Sequence, residues 1–335
     1  MDSGPKTKRV LGPWSIVHGP IHMNTLYEKA HHLTVQRFGR TIQLYAPLYL
    51  SNECIDTCLY CGFSRPNKIK RQTLTVEQVL QEAGYLTAQG FRHLLLVSGE
   101  HPKKVSVDYL CEVAKQLRPR LSLLSMEVAP FEEADYRKLV DAGVDGIVIY
   151  QETYDREMYQ KVHLGGPKKD YDRRLAHVEA ACEAGVRFVG IGVLLGLSPW
   201  PEERKRLIDH AGYLMKHYWQ TQFSISFPRL KQCASGFTAP HPVSDEELAE
   251  MIASIRVALP EAGLVLSTRE KPELRDRLLK IGITQMSAGS RTEPGGYLHP
   301  DESGKQFELG DHRPPAEVAA AITKAGYEPV WKDWI

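Results

Sequence analysis

Residues 43–61 read QLYAPLYLSNECIDTCLYC. An apolar run ends at Ser51, and Cys54, Cys58 and Cys61 come after it at C-x3-C-x2-C spacing. The run reads as a strand buried on both faces, as in parallel sheets. The turn after it separates two folds. A doubly wound open sheet announces itself by a Gly-rich G-x-G-x-x-G turn after its first strand. Here thiols stand in that turn.

Outward from this stretch the same unit repeats. Apolar or β-branched runs at 43–51, 93–100, 121–129, 146–152, 187–197, 221–229, 263–270 and 283–292 alternate with segments of helical period. Thr75, Ser106 and Ser244 are placed to open helices, and Gly90, Gly143, Gly185 and Gly282 to close them in a left-handed cap. Regular alternation argues for a parallel sheet, and eight strands are the number that closes an α/β (βα)8 TIM-type barrel. The expected layout is one domain. Residues 1–42 form an N-terminal helical cover, with TLYEKAHHLTVQRFG at 25–39. Residues 43–292 form the barrel, and 293–335 a C-terminal helix and an aromatic tail.

Composition narrows the function by exclusion. Net charge is +1, so nothing calls for nucleic acid or an acidic membrane surface. There is no run of about 18 apolar residues, so no membrane span is expected. MDSGPKTKRVLGPW lacks the apolar stretch of a signal peptide, which makes a reducing cytoplasm the expected setting. In such a chain clustered cysteines are metal ligands or catalytic groups more often than disulfides.

Three thiolates cannot close a structural zinc site, which wants four ligands. Cys111 and Cys182 fall on apolar helix faces, where core packing is the plainer reading. Cys233, after the sixth strand, is read as a bystander, with a fourth-ligand role as the alternative. Three cysteines with one open position suit a 4Fe–4S cluster whose fourth iron takes a ligand. The loop after a barrel strand lies on the catalytic face. Tyr60 and Phe63 flank the cysteines, where a ring covers a base or simply packs the loop.

This spacing, with Tyr60 directly before the last cysteine, resembles the radical S-adenosylmethionine superfamily. APLYLSNECIDTCLYCGFSRPNKIKR (46–71), VIYQETYDREMY (148–159), GPKKDYDRRL (166–175), GVLLGLSPW (192–200), SISFPRL (224–230), MSAGSRTEPGGY (286–297) and PVWKDW (329–334) narrow the match. Together they resemble the aromatic amino acid lyases, and most of all the tyrosine lyases of bacterial thiazole (thiamin) biosynthesis.

The resemblance implies a 4Fe–4S cluster on Cys54, Cys58 and Cys61, and S-adenosylmethionine as cofactor. It places Ser98 and Glu100, in the SGE turn, on the methionine ammonium, and brings Glu152 and Tyr60 to the cofactor. Arg174 is set on the cofactor carboxylate, its neighbour Arg173 at the surface, and Gly192 and Gly196 under the adenine. Arg229, Arg269 and Arg291 all end barrel strands, where a guanidinium would bind a substrate carboxylate bidentately. Arg269 best matches that role by resemblance, with Ser287 and Ser290 as added donors and Tyr49 in the same cavity. The implied reaction breaks the Cα–Cβ bond of L-tyrosine by means of a 5′-deoxyadenosyl radical, giving 2-iminoacetate and p-cresol. Implied partners are a flavodoxin- or ferredoxin-type reductant and thiazole synthase.

Three other readings stay open. The hydrogenase maturase that also cleaves tyrosine carries further cysteines in a C-terminal extension, and here no cysteine follows Cys233. A tryptophan lyase would share the Arg anchor. A non-catalytic metal or redox module would not need polar groups at nearly every strand end.

Overall fold

The structure is a computed structural model that describes residues 23–231 and 236–332. Helix α1 (Met23–Phe38) leads into β1 (Thr41–Ser51). Next come α2 (Val76–Ala88), β2 (His93–Ser98), α3 (Val107–Leu117), β3 (Leu123–Glu127), α4 (Glu133–Asp141), β4 (Gly146–Glu152), α5 (Arg156–Val162) and α6 (Tyr171–Glu183). The second half runs β5 (Phe188–Val193), α7 (Trp200–His217), β6 (Gln222–Ser226), α8 (Asp245–Ala258), β7 (Gly263–Leu266), α9 (Pro272–Leu278) and β8 (Gln285–Ser287). Helix α10 (Pro315–Lys324) and a short β9 (Glu328–Val330) complete it.

Strands β1 to β8 pair in parallel with their neighbours in chain order, and β8 returns to β1 through Gln43–Gln285, Leu44–Met286 and Tyr45–Ser287. That last pairing removes both sheet edges and makes the sheet a barrel. Alternation along each strand sorts the side chains. Leu44, Ala46, Leu48 and Leu50 point outward into the sheet–helix core and are fully buried. Tyr45 and Tyr49 point inward and, with Leu95, Val97 and Phe63, form a separate cluster inside the barrel.

Local signals act as read in most places. Thr75 and Ser244 form capping boxes, and Ser106 accepts from the Tyr109 N–H. Each such cap contributes about 1 kcal/mol. Gly90, Gly143 and Gly185 take positive φ, but Gly282 does not. A Cβ at Gly282 would lie 3.3 Å from the Arg256 side chain, so close packing against α8 accounts for that glycine.

The strand ends also differ from expectation. β1 starts two residues early because Thr41, Ile42 and Gln43 pair with β9, so the tail expected as a closing piece adds a ninth strand. Trp331 packs edge-on against Phe91, centroids 5.1 Å apart, and covers the start of β2. β8 stops at Ser287 rather than 292, and Gly289, at φ +57°, turns the chain toward the mouth. Helix α1 lies outside the barrel beside α8, with the Arg256 guanidinium 4.7 Å from the Phe38 ring. Among the described residues no helix is long and apolar enough to cross a membrane.

Candidate active site

The cysteine loop is held from several sides. Arg71 donates to the carbonyls of Phe63 and Ser64, both at 2.8 Å, and to those of Asn52 and Asn67. Asn67 donates to the carbonyls of Cys61 (3.0 Å) and Gly62 (2.9 Å). Thr57–Cys58 pairs antiparallel with the ribbon His163–Gly165, and the Ile55 N–H donates to the Glu100 carbonyl at 2.9 Å. Gly99 is needed for this closeness, because a Cβ there would lie 2.4 Å from the Glu53 carbonyl oxygen.

Cys58 is 4% exposed, and Cys54 and Cys61 are partly exposed. Burial, with repulsion from Cys61 and Asp56, pushes the Cys54 thiol up to about 12. Burial raises Cys58 and Cys61 as well. Three clustered thiols become thiolates only when a metal's positive charge compensates them. Among the described residues no three His, Cys, Asp or Glu side chains converge on a point that would hold one metal ion. A cluster that offers a separate iron to each thiolate does not need them to. The buried Ser98 Oγ and Gln151 Oε1, at the ends of β2 and β4, have no hydrogen-bond partner among the described residues. Thiol donors and unpaired polar atoms at one end of the barrel fit a 4Fe–4S cluster with a polar ligand beside it.

The remaining expected cofactor residues meet each other. Arg174 rises from α6, 8% exposed, and donates to Glu100 Oε1 at 3.0 Å and to the Tyr150 carbonyl at 2.6 Å. Glu100 and Arg174 are expected on the neighbouring ammonium and carboxylate of the cofactor's methionine, and here they form one ion pair. Glu152 sits at a bulge in the β4–β5 ladder with φ +67°. A non-glycine residue in that conformation stores strain that its surroundings must hold. Its carboxylate pairs with Lys168 at 2.6 Å, and its carbonyl accepts from the Leu194 N–H at 2.7 Å. Burial raises the Glu152 carboxyl, but Lys168 and Arg174 outweigh it and leave it below its usual value.

Tyr60 donates to His163 Nε2 at 2.7 Å, and His163 Nδ1–H donates to the Tyr159 carbonyl at 2.8 Å. Burial lowers the His163 pKa to about 3, so the imidazole is neutral. Arg173 pairs with Glu132 at the surface, as expected. A Cβ at Gly192 would lie 2.3 Å from the Ser226 carbonyl, so packing inside the barrel already requires glycine there.

Beside the cysteine loop a cleft of about 730 Å³, part of it open to solvent, is lined by Tyr45, Tyr49, Glu127, Tyr150, Arg269 and Ser290 among others. Of the three strand-end arginines only Arg269 is free there. Its guanidinium lies 3.4 Å from the Phe307 ring centroid and makes no ion pair among the described residues. Arg229 is tied to Glu270 and Asp245, a salt bridge at the rim. Arg291 is outside the cleft lining. Ser287 Oγ accepts from the Thr268 N–H at 3.1 Å, whereas Ser290 Oγ is buried without a partner among the described residues. Tyr49 donates to Gln306 Oε1 at 2.8 Å, and Gln306 Nε2 reaches Cys61 Sγ at 3.7 Å. Cys111 and Cys182 belong to the helix–sheet core, and Cys233 lies outside the described residues.

Four residues of this site did not come from the sequence: Lys168, His163, Gln306 and Glu127. Glu127 alone had a usable signal. Alternation through Leu123 and Ser125 puts it on the inner face at the mouth.

Residues 48–211 match the family model of the Radical SAM superfamily, and 226–328 that of the Biotin and Thiamin Synthesis associated domain. The 2-iminoacetate synthase of Escherichia coli (strain K12) is 43% identical over 93% of this chain and 83% of its own length. That of Salmonella typhimurium is 41% identical over the same shares. The FeFe-hydrogenase maturase HydG from Carboxydothermus hydrogenoformans superposes with a TM-score of 0.87 at 37% identity, covering 92% of this chain and 72% of that one. With the cysteine loop at the barrel mouth and this extent of identity, the chain belongs to the radical S-adenosylmethionine superfamily and, within it, to the family of the 2-iminoacetate synthases.

Proposed function

We propose that the protein is a radical S-adenosylmethionine lyase that cleaves the Cα–Cβ bond of L-tyrosine to 2-iminoacetate and p-cresol. The observation that carries this reading is that Arg269, without an ion pair among the described residues, lines a cleft whose wall residue Gln306 reaches Cys61 of the three-thiol loop at 3.7 Å. When bound, the cluster and S-adenosylmethionine supply a 5′-deoxyadenosyl radical.

The chain holds the reactants in one pose and keeps water away. Cys54, Cys58 and Cys61 hold the irons. Ser98, Glu100, Glu152 and Arg174 bind the polar groups of the cofactor, and Tyr60 lines its place. For this the Glu100–Arg174 pair opens to admit an ammonium and a carboxylate, which replace each partner's charge. Arg269 takes the substrate carboxylate, which exchanges a cation–π contact for a bidentate pair. Ser290 adds a donor that lacks a partner among the described residues, and Ser287 a second hydroxyl. Tyr49 packs against the ring. The test is product analysis. Anaerobic, reconstituted protein with S-adenosylmethionine, reductant and tyrosine is expected to release p-cresol, and with tryptophan no indole-derived fragment. 5′-Deoxyadenosine without cresol would remove the substrate assignment.

The proposal includes a reductant of flavodoxin or ferredoxin type. Arg65, Lys68, Lys103, Lys104 and Lys169 are exposed on three loops that pack on or beside the cysteine loop, and none forms an ion pair among the described residues. Such a rim suits an acidic carrier. Lys103→Glu with Lys104→Glu is expected to slow flavodoxin-driven turnover by about tenfold at low salt. Turnover driven by dithionite should not change, and equal losses with both reductants would refute the docking role. Free 2-iminoacetate hydrolyses readily, so thiazole synthase is proposed as its consumer. A cytoplasmic setting completes the proposal, supported by five free thiols among the described residues.

A further inference from the structure

One acid at the barrel mouth is used neither by the cysteine loop nor by the groups around Arg174. Glu127 ends β3, in register with Val97 of β2. It lines the same cleft as Arg269, yet it makes no hydrogen bond or ion pair among the described residues. Its neighbours are engaged. Glu100 is bound to Arg174, Glu152 to Lys168, and Glu270 to Arg229 and Lys231. Arg269 attracts Glu127 but does not reach ion-pair distance. Glu127 is half-buried, and a carboxylate drawn partly out of water without a partner gains from an opposite charge brought beside it. The cleft therefore presents one unpaired cation and one unpaired anion. That is the complement of a zwitterion.

We propose that Glu127 is the ammonium subsite for the amino acid whose carboxylate Arg269 holds, and that it takes one proton from that ammonium to leave the neutral amine. The proposal rests on the lyase reading above and assigns the amine end of the same substrate. The step is a proton transfer alone. An N–H bond breaks, its electron pair stays on nitrogen, and the proton goes to a carboxylate oxygen. No oxidant or reductant is needed. Burial, with Glu152 next, pushes the Glu127 carboxyl up to about 7, against the pull of Arg269, Lys168 and Arg174. Tyr45, Tyr49 and Tyr150 are the other titratable groups facing it, and burial holds all three phenols protonated at neutral pH. A carboxylate in this range can both meet an ammonium and keep its proton.

The test compares two ligands on the reconstituted full chain loaded with S-adenosylmethionine. L-Tyrosine carries the ammonium, and 3-(4-hydroxyphenyl)propionate lacks it. Glu127→Gln is expected to weaken tyrosine binding about 10- to 100-fold, the range for losing a hydrogen bond to a charged group, and to leave the deamino analogue within about threefold. Glu127→Asp should keep a preference for tyrosine, because the charge remains. Equal losses for both ligands would mean a structural role and overturn the proposal, as would no loss for either. Wild-type protein that binds neither ligand would overturn the lyase reading itself, and the subsite with it.

Discussion

Cys58→Ala is expected to leave the anaerobically reconstituted protein without its brown iron–sulfur absorption and without lyase activity. Cys58 is the most enclosed of the three thiols and sits in the short ladder with His163–Gly165. Burial raises its thiol well above the ordinary range, so only a bound metal keeps it ionised. Two remaining thiolates cannot hold three corners of a cubane, and the open iron that would bind the cofactor is lost with them. Cys111→Ala is the control. Cys111 is partly buried and packs against the helix–sheet core, so absorption and activity should remain. Iron content and visible absorption, read before any assay, check the ligand assignment apart from the substrate. Full absorption in Cys58→Ala would remove that assignment.

Asp311→Ala is expected to destabilise the fold by about 3–5 kcal/mol, the usual range for leaving a buried charge without its partner. Arg275 and Asp311 form an ion pair in which both side chains are fully buried. Arg275 also donates to the Ser287 carbonyl at the end of β8. The Asp311 and Gly310 N–H groups donate to the Thr268 carbonyl at 3.0 and 2.9 Å. Arg313 joins the same carboxylate and Asp276. The pair therefore pins the chain after the barrel to the strand ends that carry Arg269 and Ser287. Removing one partner should lower the chemical denaturation midpoint and loosen the cleft together. Replacing both, as Arg275→Met with Asp311→Leu, should recover much of the loss, because no charge stays buried alone.

The same pair predicts an acid limit. Burial pushes the Asp311 carboxyl up, but Arg313 and Arg275 outweigh this and hold it below the ordinary range. A depressed folded pKa stabilises fully above the unfolded value, near 3.9, and is lost as pH falls through the lower folded value. Asp311→Ala should thus be most harmful near neutral pH and matter less in strong acid. A destabilisation independent of pH would contradict the pair's role.

Much of the barrel was legible because its signals are local. Apolar runs, helical stretches and the caps at Thr75, Ser106 and Ser244 depend on residues a few positions apart. The cysteine spacing was legible for the same reason. The start of β1 shows the limit. Its start at Thr41 depends on β9, nearly 290 residues later in the chain, and no local pattern reports such a pairing. Arg229, Arg269 and Arg291 look alike in sequence. Only the partners brought by folding separate a rim salt bridge from a free guanidinium over Phe307.

By itself, then, the sequence determined the alternating strands and helices, the thiol loop after β1 and the family to which they belong, because each is written in neighbouring residues. The tertiary structure alone decided which charges are paired. It set Arg174 on Glu100 and Lys168 on Glu152, and it left Arg269 and Glu127 facing one cleft without ion-pair partners among the described residues. The physical reason is that a charge's energy depends on what surrounds it within a few ångströms, and in a closed barrel those surroundings come from strands far apart in the chain.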